Sequence, residues 1–149
     1  MFDGFTERAN HSVMLAEEEA RKLHRSYVGT GMLLLGVIAE GGTTSRILDE
    51  FGVTLDTARA EIQALMGPGA GAGHVEVPLS ENAKLALEFA RAESEKRSLK
   101  DVAVPHILLG LLNGKDSVAT RVFDVMGVNF NAVTQRVTEE LDRVYGPRA

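Results

Sequence analysis

Few side chains in this sequence can do chemistry, and their spacing argues against most of it. The four histidines are His11, His24, His74 and His106. No two stand three or four residues apart, the spacing that puts two metal ligands on one helix face, and no His-Glu-x-x-His occurs. They read as solvated or capping histidines, and no metal is implied. There is no cysteine, which removes disulfides, thiolate metal sites and thiolate nucleophiles. Gly67-Pro68-Gly69-Ala70-Gly71-Ala72-Gly73 is rich enough in glycine for a phosphate cradle. It lacks the following Lys-Ser or Lys-Thr and the preceding strand, and reads instead as a flexible linker. Ser, His and Asp are present without a Gly-x-Ser-x-Gly elbow. Glu17-Glu18-Glu19 precedes Arg21 and Lys22. Glu17→Arg21 and Glu18→Lys22 are i,i+4 pairs in the favourable order, so the run reads as a solvated helix face. No general acid or base is nominated, and no cofactor. The chain reads as a binding or assembly module, not an enzyme.

Composition sets the frame for those residues. The chain has 149 residues, 44% of them hydrophobic, with no Trp. That fits one ordinary domain, or two small subdomains sharing a core. Lys and Arg number 16 against 21 Asp and Glu, a net charge of −5. With no basic stripe to displace counterions, a nucleic-acid partner is not expected. The longest apolar run, Met32 to Ala39, is broken by Gly36 and falls short of the roughly 18–20 residues of a membrane span. Met1 to Arg8 carries Asp3 and Glu7 and lacks the order of a signal peptide. The expectation is a soluble protein of a reducing compartment: cytoplasm, or an organelle after processing.

The elements that position these residues come as an internal repeat. At an offset of 74 residues, Phe5-Thr6-Glu7-Arg8-Ala9 falls over Leu79-Ser80-Glu81-Asn82-Ala83, and Met32-Leu33-Leu34-Leu35-Gly36-Val37 over His106-Ile107-Leu108-Leu109-Gly110-Leu111. At 75, Ser45 to Val53 falls over Thr120 to Val128, one residue having been gained near Lys115. Repeat one spans about 1–66, the glycine-rich linker about 67–78 and repeat two about 79–145, within a single unit of residues 1–149.

Each repeat predicts four helices, and strand signals are nearly absent. His74-Val75-Glu76-Val77 alternates but stops at Pro78. The first helix runs from about Thr6 to Leu23, lined by Ala9, Val13, Ala16, Ala20 and Leu23 at spacings of three and four. Thr6 and Ser80 are the N-caps of the two first helices. Thr30 is expected to cap the second helix of repeat one, and Pro105 to be the first helical residue of its counterpart. Gly52 and Gly127 end the third helices. Thr54 and Asn129 start the fourth, lined by Ala58, Ile62 and Leu65 in one copy and by Val133, Val137, Leu141 and Val144 in the other. The fold class is therefore all-α, eight helices as two pseudo-symmetric four-helix repeats. Leu33-Leu34-Leu35 and Ile107-Leu108-Leu109 form the shared interior.

Several of these segments carry a resemblance. Met1-Phe2-Asp3-Gly4-Phe5-Thr6-Glu7-Arg8-Ala9 resembles the Met-Phe-x-x-Phe-Thr-x-Arg-Ala opening of the N-terminal domain of Clp chaperones of the ClpC/ClpA type. Ala16-Glu17-Glu18-Glu19-Ala20 is similar to that family's Ala-x-Glu-Glu-Ala. Tyr27-Val28-Gly29-Thr30 with Leu33-Leu34-Leu35-Gly36 resembles its Gly-Thr-Glu-His-Ile-Leu-Leu-Gly-Leu, which His106 to Leu111 repeats. Val77 to Ala83 and Pro105 to Gly110 also resemble ClpT, a small stand-alone accessory subunit of plastid Clp proteases. The resemblance implies the double four-helix Clp N-domain. That domain sits on hexameric AAA+ unfoldases, binds substrates or adaptors before delivery to the ClpP protease, and is not itself catalytic.

Two departures matter. In phosphoarginine-reading ClpC proteins, the Glu of each Gly-Thr-Glu-His block holds the guanidinium. Here those positions are Gly31 and Pro105, and the preceding Thr is Thr30 in one repeat but Val104 in the other. A guanidinium without its carboxylates is costly to bury, so phosphoarginine binding is expected to be weak or lost, and Glu at both positions to restore it. The candidate partner-binding residues are Phe2, Phe5, Thr6, Glu7 and Arg8, then Leu79, Ser80, Glu81 and Lys84, with Thr30, Gly31, Val104 and Pro105 at the helix starts. Phe5 and Leu79 read more readily as staples of a helix start to the core than as partner contacts. The expected partners are a Clp AAA+ chaperone or Clp protease subunits, and protein substrates or adaptors, met by a chain that is monomeric in isolation. The alternatives are a ClpT-like subunit that stabilises the protease ring, and a decoy of the chaperone N-domain. A bacterial cytoplasm or a plastid stroma would suit either.

Overall fold

A computed structural model describes residues 2–69 and 76–147. These hold eight α-helices and no named strand. In chain order they are α1 (Glu7–Lys22), α2 (Thr30–Glu40), α3 (Thr43–Glu50), α4 (Leu55–Met66), α5 (Glu81–Glu95), α6 (Val104–Leu112), α7 (Val118–Val125) and α8 (Phe130–Tyr145). His74-Val75, and half of the linker expected at 67–78, lie outside the described residues.

Local chemistry sets most of the boundaries. Thr6 and Ser80 accept hydrogen bonds from the amides of Ala9 and Ala83, each at 3.1 Å. Thr54 and Asn129 cap α4 and α8 in the same way. Gly52 and Gly127 stand at φ +79° and +70°, just past α3 and α7. There Val53 and Val128 donate back to the carbonyls of Leu48 and Phe123, the left-handed closure that glycine permits at least cost.

Four expectations need correction. Thr30 does not cap α2; it is the first helical residue, behind Gly29, which has no side chain to offer. Its buried hydroxyl instead accepts the Ala119 N–H of repeat two at 3.2 Å. Pro105 is the second helical residue of α6, since Val104 is already helical. Leu65 and Val144 are 36% and 53% exposed, because the last turns of α4 and α8 run beyond the neighbours that cover Ile62 and Leu141. Glu19 does not share the solvated face of Glu17 and Glu18. Its buried carboxylate takes both arms of Arg59 from α4, at 2.7 and 3.2 Å.

The core is made by α2 and α6. Leu33, Leu34, Leu35, Ile107 and Leu108 are essentially inaccessible and Leu109 nearly so. α1 packs on α2, and α5 on α6. Each pair crosses at a residue without a side chain. A Cβ at Gly36 would stand 2.1 Å from the Ser12 carbonyl oxygen, and one at Gly110 would stand 2.1 Å from that of Ala86. The outer helices are exchanged between the halves: α4 packs on α7 and α8 on α3. The chain segments before the helices also cross. Thr6 and Val102 amides donate to Val102 and Gly4 carbonyls, and Ser80 and Val28 amides to Val28 and Pro78 carbonyls, all at 2.7–3.0 Å. Val102 lies 74 residues after Val28, so the two crossings are counterparts.

Candidate functional site

The N-terminal segment folds back on α5 and makes a largely apolar groove at the surface. Asn10 holds the segment, accepting the Phe2 N–H at 2.9 Å and donating to the Phe2 carbonyl at 3.3 Å. Arg91 reaches across from α5 to the Asp3 carbonyl at 3.0 Å, its guanidinium carbon 5.4 Å from the centre of the Phe5 ring. Phe2 and Phe5 lie with ring centroids 5.2 Å apart. With Leu79 and Leu87 they line a groove of about 460 Å³ whose other walls include Lys84, Glu88, Arg91 and Glu95. Half-buried aromatics beside charged side chains of both signs form an anchor point for an apolar side chain with polar contacts around it.

The structure divides the expected site residues among three places. Phe2, Phe5, Leu79 and Lys84 meet in this groove, with Glu81 exposed beside it and paired to Lys84 at 3.2 Å. Thr30 and Ser80 belong to a second cleft of about 460 Å³, where the N-termini of α2, α5 and α7 converge with His24, Arg25 and Tyr27. Thr6, Glu7, Arg8, Val104 and Pro105 belong to a third, of about 720 Å³, where α1, α3 and α6 begin. Gly31 lines none of them. It is buried, with Val118 and Ile62 closing over it. Phe5 and Leu79 both line the groove and pack against the core. They do not staple onto the fourth helical position, which is Asn10 or Lys84.

Charges in the third cleft are largely committed. Arg8 pairs with the nearly buried Glu40 at 2.9 Å, and Glu40 accepts the Gly42 N–H at 3.2 Å. A hydrogen bond from Arg143 holds the Glu140 carboxyl below its usual range, outweighing burial; the charges of Arg143, Arg136 and Arg46 add to it. Behind the cleft lies His106, fully buried, its Nδ1 accepting the Ala103 N–H at 2.9 Å and its Nε2 without a hydrogen-bond partner among the described residues. Desolvation, with the Arg97 charge assisting and Glu93 opposing, pushes the imidazole down to about 4. It caps α6 as a neutral ring.

Sequence reasoning missed Leu87, Glu88 and Arg91. The available signal was the series Lys84, Leu87, Glu88, Arg91, spaced at three and four along one face of α5. Among the described residues no group of three His, Asp or Glu side chains is placed to hold a metal ion. No described helix is long and apolar enough to cross a membrane.

Comparison with known proteins bears on this geometry. A family model described as the Clp repeat (R) N-terminal domain matches residues 4–104 and 78–148. Chaperone protein ClpC1 of Oryza sativa subsp. japonica, chloroplastic, is 39% identical over 138 residues, which are 92% of this chain and 15% of that protein. The ATP-dependent Clp protease ATP-binding subunit ClpA homolog of Cyanidium caldarium is 42% identical over 130 residues, again 15% of that protein. This chain thus spans about 15% of the length of these curated relatives. Among solved structures, the N-terminal domain of the chaperone ClpD from Arabidopsis thaliana superposes with a TM-score of 0.81 at 30% identity, covering 95% of this chain and 99% of that one. The Hsp104 N-terminal domain of Candida albicans shares the fold, with a TM-score of 0.79 at 18% identity over 98% of this chain and 97% of its own.

Proposed function

The chain belongs to the Clp repeat N-terminal domain family, and from that premise we propose that residues 1–149 form one double-repeat unit acting as a non-catalytic docking module. It receives protein substrates or adaptors for a Clp AAA+ chaperone and its protease. In this family the fold is a protein-interaction module of AAA+ chaperones. The observation that carries the reading is the groove under the N-terminal segment. Phe2, Phe5, Leu79 and Leu87 give it apolar anchors, and Lys84, Glu88 and Arg91 give it a charged border. The test is a pull-down with the immobilised domain against purified Clp ATPase, protease subunits and their adaptors, beside a Phe2→Ser/Lys84→Glu variant. Capture of an adaptor or substrate by the native groove and its loss in the variant support the reading. Equal capture by both refutes it, and capture of the protease subunits alone would favour an accessory role.

Phosphoarginine recognition is proposed to be weak or lost. No carboxylate stands at position 31 or 105. The expectation that Glu at both positions restores it must be revised, because a Cβ at Gly31 would meet Val118 Cγ1 at 2.9 Å and Ile62 Cδ1 at 3.3 Å. Val118 must yield before any carboxylate fits. Calorimetric titration with free phosphoarginine is expected to show no micromolar binding, and micromolar binding would overturn the proposal.

A further inference from the structure

The groove under the N-terminal segment is lined by charges of both signs, Lys84 and Arg91 against Glu88 and Glu95, but only the acids are left without partners. Lys84 pairs with Glu81 at 3.2 Å. Arg91 is seated on the N-terminal segment. It donates to the Asp3 carbonyl at 3.0 Å and lies over the Phe5 ring. A Cβ at Gly4 would stand 2.8 and 3.0 Å from its two terminal nitrogens. Lys96, just past the end of α5, is held by Glu93 at 2.8 Å. Among the described residues neither Glu88 nor Glu95 has an ion-pair partner, and both are exposed. They stand two turns apart on one face of α5, about 10.5 Å along its axis, with the small, exposed Ala92 between them. The last turn of α5 holds no basic residue, so its carbonyl end adds partial negative charge beside Glu95.

The fold itself does not require these carboxylates. At the repeat offset of 74 residues, Glu88 and Glu95 correspond to Met14 and Arg21 of α1. α1 packs on α2 as α5 packs on α6, with neither acid present. The acidic border therefore belongs to the groove of repeat two and not to the helix pair. We infer that this groove takes a protein segment in which a basic side chain stands close to a bulky apolar one. The apolar group seats among Phe2, Phe5, Leu79 and Leu87, and the cation lies along Glu88 and Glu95. The apolar contact supplies the affinity. Exposed carboxylates contribute modestly and are screened by salt, so their part is to choose among apolar segments by charge.

The inference deepens the docking reading and rests on it. The probes are fluorescein-labelled heptapeptides built on Gly and Ser, carrying one Leu and, two residues further on, Arg, Ala or Glu. They are titrated by anisotropy against the full chain at low salt. The Arg peptide is expected to bind about tenfold more tightly than the Glu peptide, with the Ala peptide between. That spread is expected to shrink in about 0.5 M salt. Glu88→Gln/Glu95→Gln is expected to cut the Arg-to-Glu ratio to about twofold or less and to leave the Ala peptide's affinity unchanged. Both side chains are exposed, and an unchanged far-UV spectrum confirms folding. Phe2→Ser is expected to weaken all three peptides alike. A preference for Glu, or a ratio unchanged in the double variant, overturns the inference. Equal binding of the three peptides, lost on Phe2→Ser, overturns it while supporting the groove as a docking site. No binding by any peptide also overturns it, and the pull-down against adaptors then decides the docking reading on its own.

Discussion

Replacing Gly36 by Ala tests how the first two helices are joined. On a free helix this change is favourable by about 1 kcal/mol. Here the new methyl would lie 2.1 Å from the Ser12 carbonyl oxygen and 2.9 Å from both the nitrogen and Cβ of Ala16. A carbon–oxygen contact is normally no closer than about 3.3 Å, so α1 and α2 must part by more than about 1 Å. The obstacle is backbone, and no rotamer change relieves it. Overpacking costs typically 1–3 kcal/mol, occasionally more, and rigid backbone puts this site at about 3–4. After the propensity gain, a net loss of about 2–3 kcal/mol remains. With a urea dependence of about 2 kcal/mol per molar, the unfolding midpoint is expected to fall by about 1–1.5 M. Gly110→Ala, with Ala86 O at the same 2.1 Å, is expected to cost a similar amount. An unchanged or raised midpoint for Gly36→Ala would show that propensity outweighs the crossing, and would refute the close-approach argument.

Acid should weaken the fold through His106. Its folded pKa, about 4, lies below the ordinary 6.5, so the unfolded chain binds the extra proton between those values. The contribution is complete above pH 6.5 and is lost as pH falls toward 4, by up to about 3 kcal/mol. Urea melts from pH 7 to 4.5 check this, and His106→Gln should flatten the slope. Thr30→Val removes the acceptor of the Ala119 N–H and should cost about 1–2 kcal/mol in thermal unfolding, while Thr30→Ser should retain most of the stability. Arg97, nearly buried, donates to Asp142 at 2.6 Å and to the Gly146 carbonyl at 2.7 Å. Arg97→Ala should cost about 2–3 kcal/mol and raise amide exchange first in the last turn of α8.

The sequence alone determined the local elements and their duplication. Caps at Thr6, Ser80, Thr54 and Asn129, and turns at Gly52 and Gly127, are short-range arrangements. They depend on residues three to five apart, which a linear reading can see. The apolar blocks of α2 and α6 announced their own burial, since no helix that hydrophobic can face water. Tertiary structure decided what depends on the other repeat. Nothing near Thr30 in the chain says that its hydroxyl belongs to Ala119, 89 residues away. Likewise Glu19 reads as one of three solvated acids until α4 brings Arg59 against it. The candidate site followed the same division. Phe2, Phe5, Leu79 and Lys84 were legible from their motifs. Their separation from Thr30 and from Pro105 into distinct clefts arises because each helix start is built from segments of both repeats, a juxtaposition that no spacing along the chain encodes.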